Sequence, residues 1–169
     1  VAVCFLHSYA YPENEARAVE ILREVMPESV YVLSSTEVYP EFREYERTLV
    51  TVMNAYVSPS MLSYLTSFED KLKAIQISPH VNIVRSDGGL MSVKGASDFP
   101  VHTMLSGPAG GVSGAAFLAK LAGYENALGF DMGGTSTDVS LIQDGKPLIS
   151  RQTSLGYYPI KIPSVEVHS

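Results

Sequence analysis

The sequence has a single cysteine and no long apolar run. Because Cys4 is the one cysteine among the 169 residues, no intrachain disulfide can form, and a reducing compartment fits best. No apolar stretch approaches the roughly 20 residues needed to span a bilayer. The N-terminus also lacks the basic region and cleavage site of a secretory signal. We therefore expect a cytoplasmic protein with no membrane partner.

Basic residues are also in the minority. The chain has 12 Lys and Arg against 18 Asp and Glu, which gives a net charge of -6. A surface that neutralises nucleic-acid phosphates needs clustered Lys and Arg. Nucleic acid is therefore not expected as a partner.

Several common catalytic motifs are missing. No Gly-x-Ser-x-Gly elbow occurs, which argues against a serine hydrolase of that type. No Lys-Ser/Thr pair follows the glycines, so a Walker loop is excluded. The four histidines lack the spacing of a zinc site: His7, His80, His102 and His168. His7 follows a strand end, where polar residues often line an α/β cleft, although a satisfied polar residue is the simpler interpretation.

The first half of the chain alternates strands and helices. An apolar strand pattern at the N-terminus precedes a helical pattern over residues 13–26, and a second strand is predicted at 30–33. Two helices are predicted next, at 41–56 and 59–75, the second with Pro59 in its first turn. Five apolar residues share one helical face and predict core packing: Tyr45, Leu49, Val52, Met53 and Tyr56. This order is typical of an α/β fold.

The second half turns into a meander of strands. A helical run follows glycines at 107, 110, 111 and 114. Strands are then predicted at 127–132, 138–143 and 147–152. Asp144-Gly145 is a strong signal for a tight hairpin between the last two.

The densest group of polar residues lies at 131–138, between two predicted strands. Glycines at a hairpin tip let backbone N–H groups converge on an anion, and hydroxyls add donors to phosphate oxygens. The residues expected to bind nucleotide phosphates are Gly133, Gly134, Thr135, Ser136 and Thr137. Asp131, at the strand end, is the candidate Mg²⁺ ligand. Asp131 and Asp138 are the candidate catalytic residues, which position the metal and the attacking water.

Plainer interpretations stay open for both glycine-rich segments. Gly-Gly is a common turn dipeptide, and the two aspartates can cap a hairpin through their own hydrogen bonds. The glycines at 107, 110 and 111 could form a second anion-facing loop at a helix start, but close helix packing is favoured there.

These residues carry a resemblance to a known family. The stretch GFDMGGTSTDVS at 129–140 resembles the second phosphate motif of the hydantoinase A and oxoprolinase family. LSGPAGGV at 105–112 resembles the segment that precedes this motif there. Four upstream stretches resemble the family in the same order: HSYA at 7–10, PENE at 12–15, PEFREYERT at 40–48 and NAYV at 54–57. The resemblance covers nearly the whole chain.

The resemblance implies a partial actin-like (ribonuclease H-like) ATPase fold, in which two lobes close on ATP. It implies a parent protein that uses ATP and Mg²⁺ to open a small cyclic amide such as hydantoin or oxoproline. A second, hydantoinase B-like subunit usually completes such reactions. Alternatives are the ATP-using subunit of a ketone carboxylase and a non-catalytic interaction module of the same fold.

The chain departs from the family at three points. Family members carry another glycine-rich hairpin before this region and a glycine-rich segment after it, and neither is present. Asp87 stands where the family more often has Asn. We therefore expect an internal fragment, inactive alone, in which residues 1–105 finish the first lobe and 106–169 begin the second.

Overall fold

The computed structural model describes residues 1–77 and 81–168, so His80 lies outside the described residues. The chain contains both helices and strands, which confirms the predicted α/β class. The chain divides into two compact units. Unit 1 contains Val1–Val81, Val93–Val101 and Ser154–Lys161, and unit 2 contains Asn82–Ser92, His102–Thr153 and Ile162–Ser169. The assignment of 1–105 and 106–169 to two lobes stays a prediction.

Unit 1 is built on a short parallel strand pair. Its elements are β1 (Ala2–Val3), α1 (Glu13–Val25), β2 (Leu33–Ser34), α2 (Ser35–Val38), α3 (Glu44–Ala74) and α4 (Val93–Asp98). β1 pairs with β2 in parallel register. Val3, Val19 and Val32 form a buried cluster between this pair and α1. The predicted strand, helix and strand are all present, although both strands are shorter than their apolar runs.

Helix α1 ends one residue before its predicted boundary. Met26 has an extended conformation, with φ of -87° and ψ of 149°. The ring of Pro27 disfavours a helical conformation for the preceding residue, which accounts for this end. Glu13 and Glu15 lie in the first turn and Arg23 in the last, which matches the helix dipole.

The two helices predicted at 41–56 and 59–75 are one helix, so that prediction is wrong. α3 runs for 31 residues with Pro59 inside it. A proline in a helix removes one N–H bond and kinks or breaks many helices. Here the helix continues through Pro59, and Ser58 and Leu65 are buried before and after it.

The predicted core face of α3 is only partly buried: Leu49 and Met53 are half-buried, and the other three residues are exposed. Tyr45, Val52 and Tyr56 are 63%, 45% and 80% exposed. The buried face carries mostly polar residues: Arg47, Val50, Thr51, Asn54, Ser58 and Leu65. Hydrogen bonds satisfy these polar groups, which is the condition for burying them.

Unit 2 contains hairpins and one long helix. Its elements include β3 (Asn82–Val84), β4 (Leu90–Ser92), α5 (Ser106–Leu121), β5 (Ala127–Met132), β6 (Thr137–Gln143) and β7 (Lys146–Pro147). They continue with β8 (Ile149–Ser150), β11 (Ser164–Val165) and β12 (Val167–His168). A 3₁₀ turn at Pro100–Thr103 and the strand β9 (Thr153–Leu155) span the borders between units, and β10 (Tyr158–Ile160) belongs to unit 1.

The central sheet of unit 2 has the order β12-β6-β5, with β7 also paired to β6. The predicted turn at Asp144-Gly145 is confirmed, since both residues have positive φ, 52° and 70°. The third predicted strand is divided, because β7 pairs with β6 whereas β8 pairs with β11. Among the described residues, no helix is both long and apolar enough to cross a membrane.

Candidate functional site

The predicted hairpin around the glycine pair is present. β5 and β6 pair antiparallel, and their register places Asp131 opposite Asp138 and Met132 opposite Thr137. The Gly133 N–H donates a hydrogen bond to the Ser136 carbonyl oxygen over 3.0 Å, which closes a tip of residues 133–136. No helix begins at the glycines. This separates the segment from a P-loop, in which a helix follows the glycines.

The register puts the two candidate catalytic carboxylates on one face of the sheet. Residues directly opposite each other in an antiparallel pair have Cβ atoms roughly 4.5–5.5 Å apart. Asp131 and Asp138 both line a cleft of about 190 Å³ between this face and α5. The neighbouring cross-strand pair, Gly129 and Ser140, lies on the same face and lines the same cleft.

Helix α5 forms the other wall of the cleft without charged or polar side chains. Its contribution is Pro108, Gly111, Val112 and Ala115. A Cβ atom at Gly111 would lie 3.9 Å from the Asp131 carboxylate oxygen Oδ2. Helix α5 therefore contributes no cation to this wall of the cleft.

The cleft is small for a whole nucleotide. Pockets for drug-sized ligands span roughly 300–1,000 Å³, so about 190 Å³ suits a small polar group such as a phosphate or a hydrated ion. Among the described residues, no group of three His, Cys, Asp or Glu side chains gathers as a metal site. Two carboxylates still fit Mg²⁺, which is usually held by one or two carboxylates together with waters and phosphates.

The conformation of the turn does not explain why its tip carries two glycines. Neither Gly133 nor Gly134 has positive φ, so glycine is not required there by backbone conformation. Apart from each glycine and its two chain neighbours, no described atom lies within 4 Å of a Cβ placed on Gly134, and the nearest to one on Gly133 is the Ser136 carbonyl oxygen at 3.8 Å. The tip is therefore open to a ligand that approaches the backbone.

The three hydroxyl residues are not equivalent. Thr135 and Ser136 are exposed in the tip, whereas Thr137 is half-buried as the first residue of β6. Because side chains alternate along a strand, Thr137 points to the face opposite Asp138. The fold thus brings together Asp131 and Asp138 beside the open tip, and directs the Thr137 side chain away from them.

The glycines at 107, 110 and 111 lie within α5, whose first residue is Ser106. They form no separate loop. A Cβ on Gly107 or Gly110 would meet no atom within 4 Å, so close packing does not explain these two positions either.

Asp87 has a local structural role in the turn between β3 and β4. Its Oδ1 accepts a hydrogen bond from the Gly89 N–H over 2.9 Å. Its Oδ2 lies 2.9 Å from Arg85 Nη2. An Asn side chain could accept the first of these bonds, which explains why either residue fits this turn.

Sequence reasoning missed a second polar cluster, in unit 1. Glu15, Ser35 and Arg47 are all fully buried. The Ser35 hydroxyl donates to Glu15 Oε1 over 2.9 Å and accepts from Arg47 Nε over 3.0 Å. The sequence gives little signal for this cluster, because charged residues on amphipathic helices are usually solvated.

The sequence and the fold were compared with known proteins. The hydantoinase/oxoprolinase family matches residues 47–169. Caprolactamase subunit alpha from Pseudomonas jessenii is 33% identical over all of this chain and 24% of its own length. The 5-oxoprolinase of Saccharomyces cerevisiae is 36% identical over all of this chain and 13% of its own length. The nucleotide-free structure of acetone carboxylase superposes with a TM-score of 0.86 at 32% identity, covering 99% of this chain and 24% of that one.

The chain belongs to the hydantoinase/oxoprolinase family, as the resemblance in its motifs predicted. It spans about a quarter of the caprolactamase subunit and a smaller share of the oxoprolinase.

Proposed function

We propose that the β5–β6 hairpin is a phosphate-binding element of an ATP-dependent enzyme. The observation that carries this proposal is the pairing of Asp131 with Asp138 on the face that lines the cleft under α5. The open tip beside them supplies backbone N–H groups and the Thr135 and Ser136 hydroxyls. Anion sites with a metal need this combination of donors and carboxylates.

Each residue has a defined part in this proposal. The Asp131 carboxylate holds Mg²⁺ or its water shell, and Asp138 orients the water that attacks the phosphate. The backbone N–H of Gly134 and the two tip hydroxyls donate to phosphate oxygens, while the Gly133 N–H keeps its hydrogen bond to the Ser136 carbonyl oxygen. Bound Mg²⁺ neutralises phosphate charge, and phosphoryl transfer depends mainly on such neutralisation and on positioning.

The reaction proposed for the full-length protein is ATP-dependent opening of a small cyclic amide. Family membership and the likeness to a caprolactamase and a 5-oxoprolinase support it. The second candidate is the ATP-using subunit of a ketone carboxylase, which the TM-score of 0.86 with acetone carboxylase favours. A partner subunit of the hydantoinase B type is part of either proposal, since the caprolactamase relative is itself a subunit.

The actin-like fold is also proposed, with residues 1–105 in the first lobe and 106–169 in the second. The glycine-tipped hairpin followed by further strands supports it. Cytoplasmic location belongs to the same proposal, because one cysteine suits a reducing compartment.

ADP release by the full-length protein with its partner subunit tests these proposals. We expect Mg²⁺-dependent ADP release that increases with hydantoin, 5-oxoproline or caprolactam. Stimulation by acetone or acetophenone with bicarbonate, and by no lactam, would select the carboxylase instead. Absence of nucleotide binding in the full-length protein would contradict both and leave the non-catalytic interaction module.

A further inference from the structure

The buried polar cluster of unit 1 is costly for so small a core. Glu15 and Arg47 are both fully buried, and they are joined through the Ser35 hydroxyl. Buried charged groups contribute little net stability compared with well-packed apolar side chains, since desolvation offsets their attraction. Their arrangement therefore calls for an explanation in terms of geometry.

The cluster binds both backbone polar groups of Phe5. The Phe5 N–H donates to Glu15 Oε2 over 2.7 Å. The Phe5 carbonyl oxygen accepts from Arg47 Nη2 over 2.5 Å and from the Ser8 hydroxyl over 3.0 Å. Hydrogen bonds to charged groups are about twice as strong as neutral ones. The position of the chain at Phe5 is thus fixed by two charged side chains and a serine.

The segment held in this way contains a residue in an uncommon backbone conformation. His7 has a φ of 56°. Its carbonyl oxygen accepts hydrogen bonds from the N–H groups of Ala10, over 3.0 Å, and Tyr11, over 3.2 Å. Non-glycine residues in this region cost on the order of 1–3 kcal/mol and persist only where surrounding structure imposes them. Such residues cluster at ligand sites.

The location of this loop is one where α/β proteins bind ligands. Residues 5–11 follow the carboxyl end of β1, and Ser34 and Ser35 mark the carboxyl end of its parallel neighbour β2. Crevices outside the carboxyl ends of parallel strands are the usual ligand sites of open α/β sheets.

Three exposed rings, those of His7, Tyr9 and Phe42, lie next to one another at this loop. The centroids of the His7 and Tyr9 rings are 6.3 Å apart, and those of Tyr9 and Phe42 are 6.4 Å apart at a T-shaped angle of 70°. The Arg47 guanidinium carbon lies 6.0 Å from the Tyr9 ring centre, a cation–π contact that helps to hold the ring in place. The imidazole of His7 and the phenol of Tyr9 can both donate hydrogen bonds.

We propose that His7 and Tyr9 contact the organic substrate, a small carbonyl compound, and that Glu15 and Arg47 position the loop that carries them. The rings provide apolar surface for a small ring or alkyl group, and their polar atoms donate to its carbonyl oxygen. The proposal rests on the proposed function for the class of ligand, and its residues are separate from the phosphate hairpin.

Direct binding to the full-length protein without nucleotide tests this site. Saturation-transfer NMR would be recorded with hydantoin, 5-oxoproline, caprolactam and acetophenone on the wild type, His7→Ala, Tyr9→Ala and Tyr11→Ala. Tyr11 is the matched control, because it lies in the same loop, is 74% exposed and has no ring contact among the described residues. At least one probe should bind the wild type and Tyr11→Ala equally, and His7→Ala and Tyr9→Ala at least tenfold more weakly. Lactam probes binding alone would identify an amide substrate, and acetophenone binding alone would identify a ketone.

The positioning role has its own readout. Glu15→Gln should weaken probe binding while the affinity for Mg-ATP, which depends on the hairpin residues of unit 2, stays at the wild-type value. Unchanged probe binding in His7→Ala and Tyr9→Ala, or no binding of any probe to the wild type, would overturn the proposal. If the wild type binds a probe but does not bind Mg-ATP, the proposed function is contradicted and the proposed substrate site at His7 and Tyr9 is not.

Discussion

Gly129 and Ser140 are cross-strand partners, and the Ser140 hydroxyl lies where a side chain on the glycine would project. A Cβ atom on Gly129 would collide with the Ser140 Oγ, whereas the Ser140 Cβ would be 3.7 Å away, an ordinary contact. We expect Gly129→Ala to lower the free energy of unfolding by about 1–3 kcal/mol, the usual cost of overpacking. Ser140→Ala in the same chain removes the colliding atom and should restore most of that loss. Urea denaturation of the wild type, the two single variants and the double variant measures both effects.

The cycle has a clear negative result. If the effects of Gly129→Ala and Ser140→Ala are additive, the Ser140 hydroxyl does not obstruct a side chain at position 129. Additivity is the normal outcome for residues that do not touch, so the coupling itself reports the contact.

Asp131→Asn should nearly abolish Mg²⁺-dependent ATP hydrolysis in the full-length protein. The amide keeps the size of the side chain and removes the charge that holds the metal. Loss of one such electrostatic contributor typically costs on the order of a hundredfold or more in rate. The matched control is Asp144→Asn, at the turn that begins at the other end of β6. Turnover per folded molecule at the wild-type level in Asp131→Asn would rule out this role.

Thr135→Val should weaken nucleotide binding more mildly. The change keeps the shape of the side chain and removes a hydroxyl that donates to a charged oxygen, worth roughly 1–3 kcal/mol. Thr135→Ser retains the hydroxyl and is the control, so it should bind near the wild-type level. Calorimetric titration with Mg-ATP makes the comparison. Equal weakening by both substitutions would assign the effect to packing.

Gly111→Val should narrow the cleft beside the candidate metal ligand. A Cβ at this position already lies 3.9 Å from Asp131 Oδ2, and the valine methyl groups extend beyond it. Gly110→Val is the control on the same helix, since a Cβ there meets no atom within 4 Å. We expect Mg-ATP affinity to fall at least tenfold in the first variant and to stay unchanged in the second. Equal affinities would show that the cleft is not where the metal and phosphate bind.

The hairpin was predictable from sequence because its signals are local. Two alternating strand patterns, a glycine pair and flanking carboxylates lie within a few residues of each other, and β5 and β6 pair as these patterns predict. Which of the three hydroxyl side chains lie at the exposed tip and which one lies in the strand was not predictable from composition. It follows from the exact register, which turns Thr137 to the opposite face.

The buried cluster of unit 1 could not be predicted, because its members are far apart in sequence. Glu15 and Arg47 each look like a surface residue on an amphipathic helix. Only the packing of α1, α2 and α3 places both side chains within hydrogen-bond distance of the Ser35 hydroxyl. The same packing reverses the expected face of α3, since satisfied polar groups occupy the interior and Tyr56 is left outside.

The Glu15 carboxyl should make stability fall in acid. Burial raises its pKa, but hydrogen bonds from the Phe5 amide and from neighbouring hydroxyl and amide groups outweigh that effect and lower the pKa from 4.5 to about 2. A pKa lowered by folding contributes stability that is present above the unfolded value and is lost as pH falls through the folded one. We therefore expect unit 1 to lose stability between about pH 5 and pH 2, by on the order of 3 kcal/mol.

Glu15→Gln separates this contribution from general acid unfolding. The variant should be less stable than the wild type at pH 7, and the difference should shrink as pH falls below 4.5. In that range the carboxyl of the unfolded wild type binds a proton while the folded one, with a pKa of about 2, stays ionised, so the free energy of unfolding of the wild type decreases. Hydrogen exchange of unit 1 amides in the full-length protein at pH 7, 5 and 3 measures this. The control is Glu20→Gln, on the exposed side of α1, where Glu20 pairs with Arg17 over 2.9 Å in solvent. Because exposed ion pairs contribute little, its pH dependence should follow the wild type. A constant difference between wild type and Glu15→Gln from pH 7 to pH 3 would mean that the charge on Glu15 does not hold the loop at Phe5.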